Sequence, residues 1–242
     1  MNDDLDQLLS SLKMRQTRQR LPSLLARATK EAPAYDTFLA WVLREEYEHR
    51  RQKSLEYRIE NARIPELVTL DTFPFDRQPG VSASVIRQLA GLDFMATGQN
   101  LVFIGDTGVG KTGLAVGILY RALVNGYRGR FVRAQDLFDD IHASLLERSS
   151  RRILNDLGSY ALLCIDEFGY LNLKPEQSNI FFKLMEERYT ANKSTIITTN
   201  LDYEQWYEFL GQKPMVKALL DRLRHRCHTL RIEGDTLRTP TG

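Results

Sequence analysis

Apolar positions along this chain follow two different periods. Over residues 1 to about 65 they recur at helical spacing. Leu5, Leu8, Leu9 and Leu12 fall at i, i+3, i+4 and i+7, one face of a first helix. Pro22, after Leu21, suits the first turn of a second helix that carries Leu24, Leu25 and Ala28, and Pro33 ends that run. Phe38, Trp41 and Val42 mark the apolar face of a third, which continues through the charge-rich REEYEHRRQKSLEYRIENAR to Ala62. Pro65 breaks the pattern, and LDTFPFDRQPG (70–80) reads as a linker. From there short β-rich runs alternate with helical ones: LVFI (101–104), RFVRA (130–134), ALLCID (161–166), STIITTN (194–200) and TLRI (229–232). That alternation predicts a doubly wound α/β sheet preceded by a small all-α domain, with residues 1–65 and 66–242 as the two parts.

Composition changes this picture little. The chain has 242 residues, 43% hydrophobic and 26% charged, an ordinary globular balance long enough for one well-buried domain and an appendage. A net charge of +2 says nothing about partners, so only local clusters can. Cys164 and Cys227 form neither a CxxC pair nor a disulfide framework, which suits a reducing compartment. HRCH (225–228) packs three metal-ligand types together but lacks a second cluster, which argues against zinc. The opening MNDDLDQLL is acidic and then amphipathic, unlike a signal or transit peptide, and no apolar run approaches the ~20 residues of a membrane span. A cytoplasmic location, with no membrane partner, is the expectation.

The candidate chemistry begins at Gly105-Asp106-Thr107-Gly108-Val109-Gly110-Lys111-Thr112, a full G-x-x-x-x-G-K-[ST] match between an apolar strand and a helix opener. Glycines let the backbone turn several N–H groups toward phosphates, and the helix adds its positive end. Lys111 is expected to reach the β and γ phosphates, and the Thr112 hydroxyl to hold Mg²⁺. The metal needs an acid at the end of a neighbouring strand. ALLCIDE supplies Asp166 as that ligand, with Glu167 just beyond it to polarise a water for attack on the γ-phosphate. Asn200, ending STIITTN, is placed to bond that water or the γ-phosphate; a polar turn cap is the plainer alternative. KALLDRLRHRC places Arg222, Arg224 and Arg226 on one basic stretch. An arginine there could complete the transition-state charge in a neighbouring subunit, or simply end a helix in solvent. Guanine-nucleotide switches read their base with Asn-Lys-x-Asp; this chain has NKST (192–195), so ATP is favoured.

With these parts in order, the chain resembles the AAA+ ATPases, and more narrowly the IstB-type transposition helper ATPases and the DnaC-like helicase loaders. GDTGVGKT and LLCIDEFGYL are shared by a vast superfamily; NARIPE…LDTFPFD, IITTN and DRLRHR point to the narrower group. The resemblance implies that Lys111, Thr112, Asp166, Glu167 and Asn200 match the phosphate-binding lysine, the magnesium threonine, the Walker B pair and the first sensor. It places an arginine finger in DRLRHR, with Arg226 favoured and Arg222 the rival. It also implies strand order 5-1-4-3-2, putting the Asn200 strand between the phosphate-loop and Asp166 strands. Many AAA+ proteins continue into a helical lid, but only ten residues follow Ile232 here, so Phe73, Phe75 or the next subunit would have to cover the nucleotide.

ATP would then act as an assembly switch. Residues 13–30 carry six basic side chains (Lys13, Arg15, Arg18, Arg20, Arg27 and Lys30) and no acid, a pattern suited to duplex phosphates. Arg148, Arg151 and Arg152 form a second basic candidate, in a region that faces nucleic acid in initiator-like relatives. The run has no interleaved aromatics, against single-strand stacking. Three functions are open at this point. The first is an ATPase that assembles as a homo-oligomer on double-stranded DNA and recruits a transposase. The second is a helicase loader. The third is a small-molecule kinase, which Glu167 opposes.

Overall fold

The computed structural model describes residues 3–169, 171, 173–211 and 214–237. The chain divides into two compact units, Met1–Tyr57 and Arg58–Gly242.

The first unit holds α1 (Asp3–Ser11), α2 (Arg15–Glu31) and most of α3 (Tyr35–Ala62). Acids in the first turn of α1 complement its dipole. Its expected apolar face is only partly used: Leu9 is buried, while Leu5, Leu8 and Leu12 are exposed, the last to 63%. The start of α2 also differs from expectation. Pro22 lies inside the helix, not in its first turn. A proline there removes one i→i−4 bond, the one that would end on the Arg18 carbonyl. Glu46 of α3 caps the start of the same helix. Its Oε2 accepts the N–H groups of Gln16 (3.1 Å) and Thr17 (3.2 Å), while the Thr17 hydroxyl donates to the Val42 carbonyl at 3.1 Å. Leu21 and Leu24, on either side of the proline, are buried. Ala32, left-handed at φ 44°, ends the helix just before Pro33.

In the second unit the linker forms two short 3-10 turns, Leu70–Thr72 and Phe75–Arg77, followed by α4 (Ala83–Leu89) and α5 (Asp93–Ala96). Then come β1 (Asn100–Gly105), α6 (Lys111–Val124), β2 (Gly129–Arg133), α7 (Ala134–Leu146), α8 (Ser150–Ser159), β3 (Leu162–Asp166), α9 (Pro175–Thr190), β4 (Ser194–Thr199), α10 (Tyr203–Phe209), α11 (Pro214–His225) and β5 (Cys227–Ile232). The five strands are parallel in the order β2-β3-β4-β1-β5, the expected 5-1-4-3-2 counted from the other edge. Both faces are covered, which is why β1 and β3 read as continuous apolar runs. Leu101, Phe103, Leu162 and Cys164 pack with α6, α4, α5 and the linker; Val102, Ile104, Leu163 and Ile165 pack with α7 to α11.

One polar group inside this core had no visible signature. Arg188 of α9 is 1% exposed and pairs with no acid among the described residues. Its guanidinium donates to the carbonyls of Leu157, Tyr160 and Ser194 and to the Thr195 hydroxyl, tying the end of α8 to the start of β4. Burial pushes its pKa down to about 9.

Candidate functional site

The carboxyl ends of β1, β3 and β4 converge on one pocket. The turn after β1 has Gly108 at φ 90° and Gly110 at φ 97°, left-handed conformations that favour glycine, and Gly110 caps α6. Lys111 donates from Nζ to the carbonyls of Gly105 (2.8 Å) and Asp106 (2.7 Å), so its charge is held over the loop. The Thr112 hydroxyl donates to Asp166 Oδ1 at 2.9 Å, which joins the two candidate metal ligands across β1 and β3.

The strand between them supplies a third member. Thr198 of β4 donates its hydroxyl to the same Asp166 oxygen at 2.5 Å and accepts the Glu167 N–H at 3.0 Å. Asp166 is 3% exposed; Glu167, left-handed at φ 56°, turns out to solvent. One step on, Thr199 donates to the Phe168 carbonyl at 2.5 Å and accepts the Leu201 N–H at 3.0 Å. The two threonines therefore lace the end of β4 to the segment after β3. Asn200 follows them at the pocket rim beside Gly169, where an added Cβ would stand 3.6 Å from Asn200 Oδ1. The pocket measures about 560 Å³ and is bounded by the phosphate loop, Glu167, Thr198, Asn200, Gln135 of α7 and Leu237.

Lys111, Thr112, Asp166, Glu167 and Asn200 are thus brought together. Arg222 and Arg226 are not. Arg226 immediately precedes β5, whose first residue pairs with Asn100 at the start of β1, while Gly105 at the other end pairs with Ile232. That is roughly 17 Å of strand away from the phosphate loop. Arg226 donates to Asn192 Oδ1 at 2.8 Å and stacks 4.8 Å above the Tyr189 ring. Arg222 pairs with Glu186 at 3.1 Å, with both side chains about half exposed. Arg224 lies 5.1 Å from the Tyr203 ring.

The basic run in the first unit splits in two. Arg18 forms a two-pronged pair with Asp6, Arg20 lies 3.7 Å from Glu45, and Arg27 pairs with Glu31 while covering the Trp41 ring. Lys13, Arg15 and Lys30 are exposed and have no carboxylate partner among the described residues. In the second unit Arg151 pairs with Glu187 at 2.8 Å, whereas Arg148, left-handed in the turn between α7 and α8, and Arg152 are exposed. No helix of the described residues is long and apolar enough to cross a membrane.

Sequence reasoning missed Thr198, Gln135 and Leu237. Only Thr198 left a signal: with Thr199 it follows the apolar pair Ile196-Ile197 at the carboxyl end of a fully buried strand.

Comparison with known proteins identifies a family. The profile of the family described as IstB-like ATP binding protein matches residues 7–241. An ATP-binding protein of insertion sequence IS21 from Pseudomonas aeruginosa is 37% identical over 235 residues, 97% of this chain and 88% of its own length. One of insertion sequence IS5376 from Geobacillus stearothermophilus is 31% identical, over 91% of this chain and 87% of its own. Among solved structures, the DnaC helicase loader superposes with a TM-score of 0.58 at 26% identity, covering 69% of this chain and 97% of that one. The replication initiator DnaA, solved with AMPPCP and single-stranded DNA, gives 0.60 at 20% identity over 72% of this chain and 52% of that one, a likeness of fold.

Proposed function

The chain belongs to the IstB-like ATP-binding proteins of insertion sequences, and from that premise we propose that it is an ATPase whose turnover drives assembly on duplex DNA and recruitment of a transposase. The observation that carries this reading is the separation just described. One end of the sheet gathers groups suited to binding and attacking a triphosphate, while Arg222 and Arg226 stand at the other, out of reach of their own loop. An arginine so placed serves a neighbouring copy's nucleotide, which makes hydrolysis depend on assembly.

The donor set fits Mg²⁺. The Thr112 hydroxyl and the Asp166 carboxylate are hard oxygen donors already in contact. Bound there, the ion would neutralise charge on the β and γ phosphates. Lys111 exchanges its two loop carbonyls for phosphate oxygens, a stronger, charge-assisted bond. Glu167 accepts a proton from the attacking water, and Asn200 orients that water or the γ-phosphate. On the DNA side, the exposed Lys13, Arg15, Lys30, Arg148 and Arg152 are the strongest candidates. Arg18, Arg20, Arg27 and Arg151 would first have to leave their acids.

The likeness to the DnaC helicase loader favours a second reading, in which the partner is a helicase and the nucleic acid single-stranded. One experiment separates the two. Glu167→Gln protein with ATP and Mg²⁺ is mixed with matched duplex and single-stranded DNA at fixed salt, and particle size is followed. Large ATP-dependent particles on duplex support the transposition reading. Preference for the single strand, or no assembly without a further protein, supports the loader.

A further inference from the structure

Beyond β5 the chain turns back across the phosphate loop. The Leu237 N–H donates to the Gly108 carbonyl at 2.9 Å. Gln78 of the linker, 0% exposed, donates from Nε2 to the carbonyls of Val109 (3.1 Å) and Asp235 (3.3 Å). The contacts leave no room for side chains. A Cβ on Gly108 would fall 2.1 Å from Thr236 Oγ1, and one on Gly110 would meet both Phe73 (2.8 Å) and Leu237 (3.0 Å). The Gln78 Oε1 is buried with no hydrogen-bond partner among the described residues. With both carbonyls claiming Nε2, the amide cannot flip to satisfy it, so this arrangement holds the loop at the expense of one orphaned acceptor.

Peptide planarity gives these contacts a consequence. In a trans peptide the carbonyl of one residue points opposite to the N–H of the next. Leu237 on the Gly108 oxygen therefore fixes the Val109 N–H pointing away from the Leu237 backbone, and Gln78 on the Val109 oxygen fixes the Gly110 N–H pointing away from the Gln78 amide. We propose that residues 235–237, fastened by Gln78, form a strap that preorganises the phosphate loop for a nucleoside triphosphate, with the Leu237 side chain as an apolar wall of the same pocket. Gln78 and Leu237 are thus positioning residues. They act through the loop's N–H groups, and Leu237 also through its side chain, which lines the pocket. Forming the cradle beforehand removes the ordering penalty from the binding step.

The inference rests on the reading that this loop binds ATP, so the test carries one readout that needs no nucleotide. Gln78→Leu removes the clasp and Leu237→Pro the strap's N–H. Leu237→Ala keeps the N–H and removes the wall. In nucleotide-free protein, deuterium uptake by the segment 105–112 rises in the first two and stays at the parent level in Leu237→Ala. Affinities for ATP and for inorganic tripolyphosphate are then measured. Gln78→Leu and Leu237→Pro weaken both by about tenfold, while Leu237→Ala weakens ATP alone. Parent-like uptake in Gln78→Leu and Leu237→Pro overturns the strap, as do affinities within about twofold of the parent. A parent that binds no ATP, or a Lys111→Ala variant that binds it normally, refutes the phosphate-loop reading instead, and the uptake still decides the strap.

Discussion

Replacing Thr198 by valine keeps the shape of the side chain and deletes one oxygen, so no cavity forms and the loss is polar. That oxygen makes two bonds, a 2.5 Å donation to the Asp166 carboxylate and a 3.0 Å acceptance from the Glu167 N–H. Losing the first forfeits a charge-assisted bond worth about 1.5–3 kcal/mol, softened because Thr112 still reaches Asp166. Losing the second strands a backbone donor, about 1–3 kcal/mol more unless water replaces the hydroxyl. A total of about 2–4 kcal/mol follows, and for a unit of this size it lowers the melting temperature by roughly 5–15 °C. The functional effect is larger in proportion. Glu167 sits left-handed at φ 56°, a conformation that carries strain of order 1 kcal/mol or more and persists only while neighbours hold it. Freed from Thr198, its carboxylate loses the orientation that general-base work needs, which is expected to slow hydrolysis by about 10²-fold. The assay is phosphate release at saturating ATP and Mg²⁺ with duplex DNA, beside ATP affinity from a fluorescent analogue. Thr198→Ser, which keeps the oxygen, is run in parallel. Turnover should collapse in the valine variant and recover in the serine one, with ATP affinity nearly unchanged in both. Valine turnover within about threefold of the parent, or an equal loss in serine, would refute the argument.

Three further outcomes are expected. Lys111→Ala should weaken ATP binding by roughly 30- to 100-fold, the worth of a lysine–phosphate contact, measured by titration of nucleotide against intrinsic or label fluorescence. Arg226→Ala should bind ATP like the parent but lose DNA-stimulated turnover; if Arg222→Ala alone does so, Arg222 is the finger. Burial alone would raise the Glu46 carboxyl, but the Thr17 N–H, the Arg50 guanidinium and the Gln16 N–H outweigh it and hold the pKa below the ordinary value. A depressed folded pKa stabilises above the unfolded value and is lost as pH falls through the folded one. Thermal unfolding followed by helical ellipticity should therefore show a first-unit transition that weakens on acidification below about pH 4.5, and Glu46→Gln should lower it by about 1 kcal/mol at pH 7 and flatten that dependence.

The candidate nucleotide site was legible in the sequence because the chemistry proposed for it is local. A phosphate cradle needs consecutive backbone groups in one turn, so Gly105 to Thr112 had to be contiguous, and a strand buried on both faces had to be a run of apolar residues ending in Asp166. The helical period of the first sixty residues announced three helices for the same reason. Which faces those helices bury was another matter. Leu5, Leu8 and Leu12 keep their period yet stand in solvent, and the first N–H groups of α2 are capped by Glu46, twenty-nine residues past Thr17. Arg188 looks like any helix arginine until three carbonyls and a hydroxyl close around it. Gln78 meets Asp235 across 157 residues of chain. Such contacts have no spacing to read, since they exist only once packing has brought distant segments side by side. Periodicity reports what neighbours along the chain must do together; pairing between distant segments is set by packing, and only the folded structure carries it.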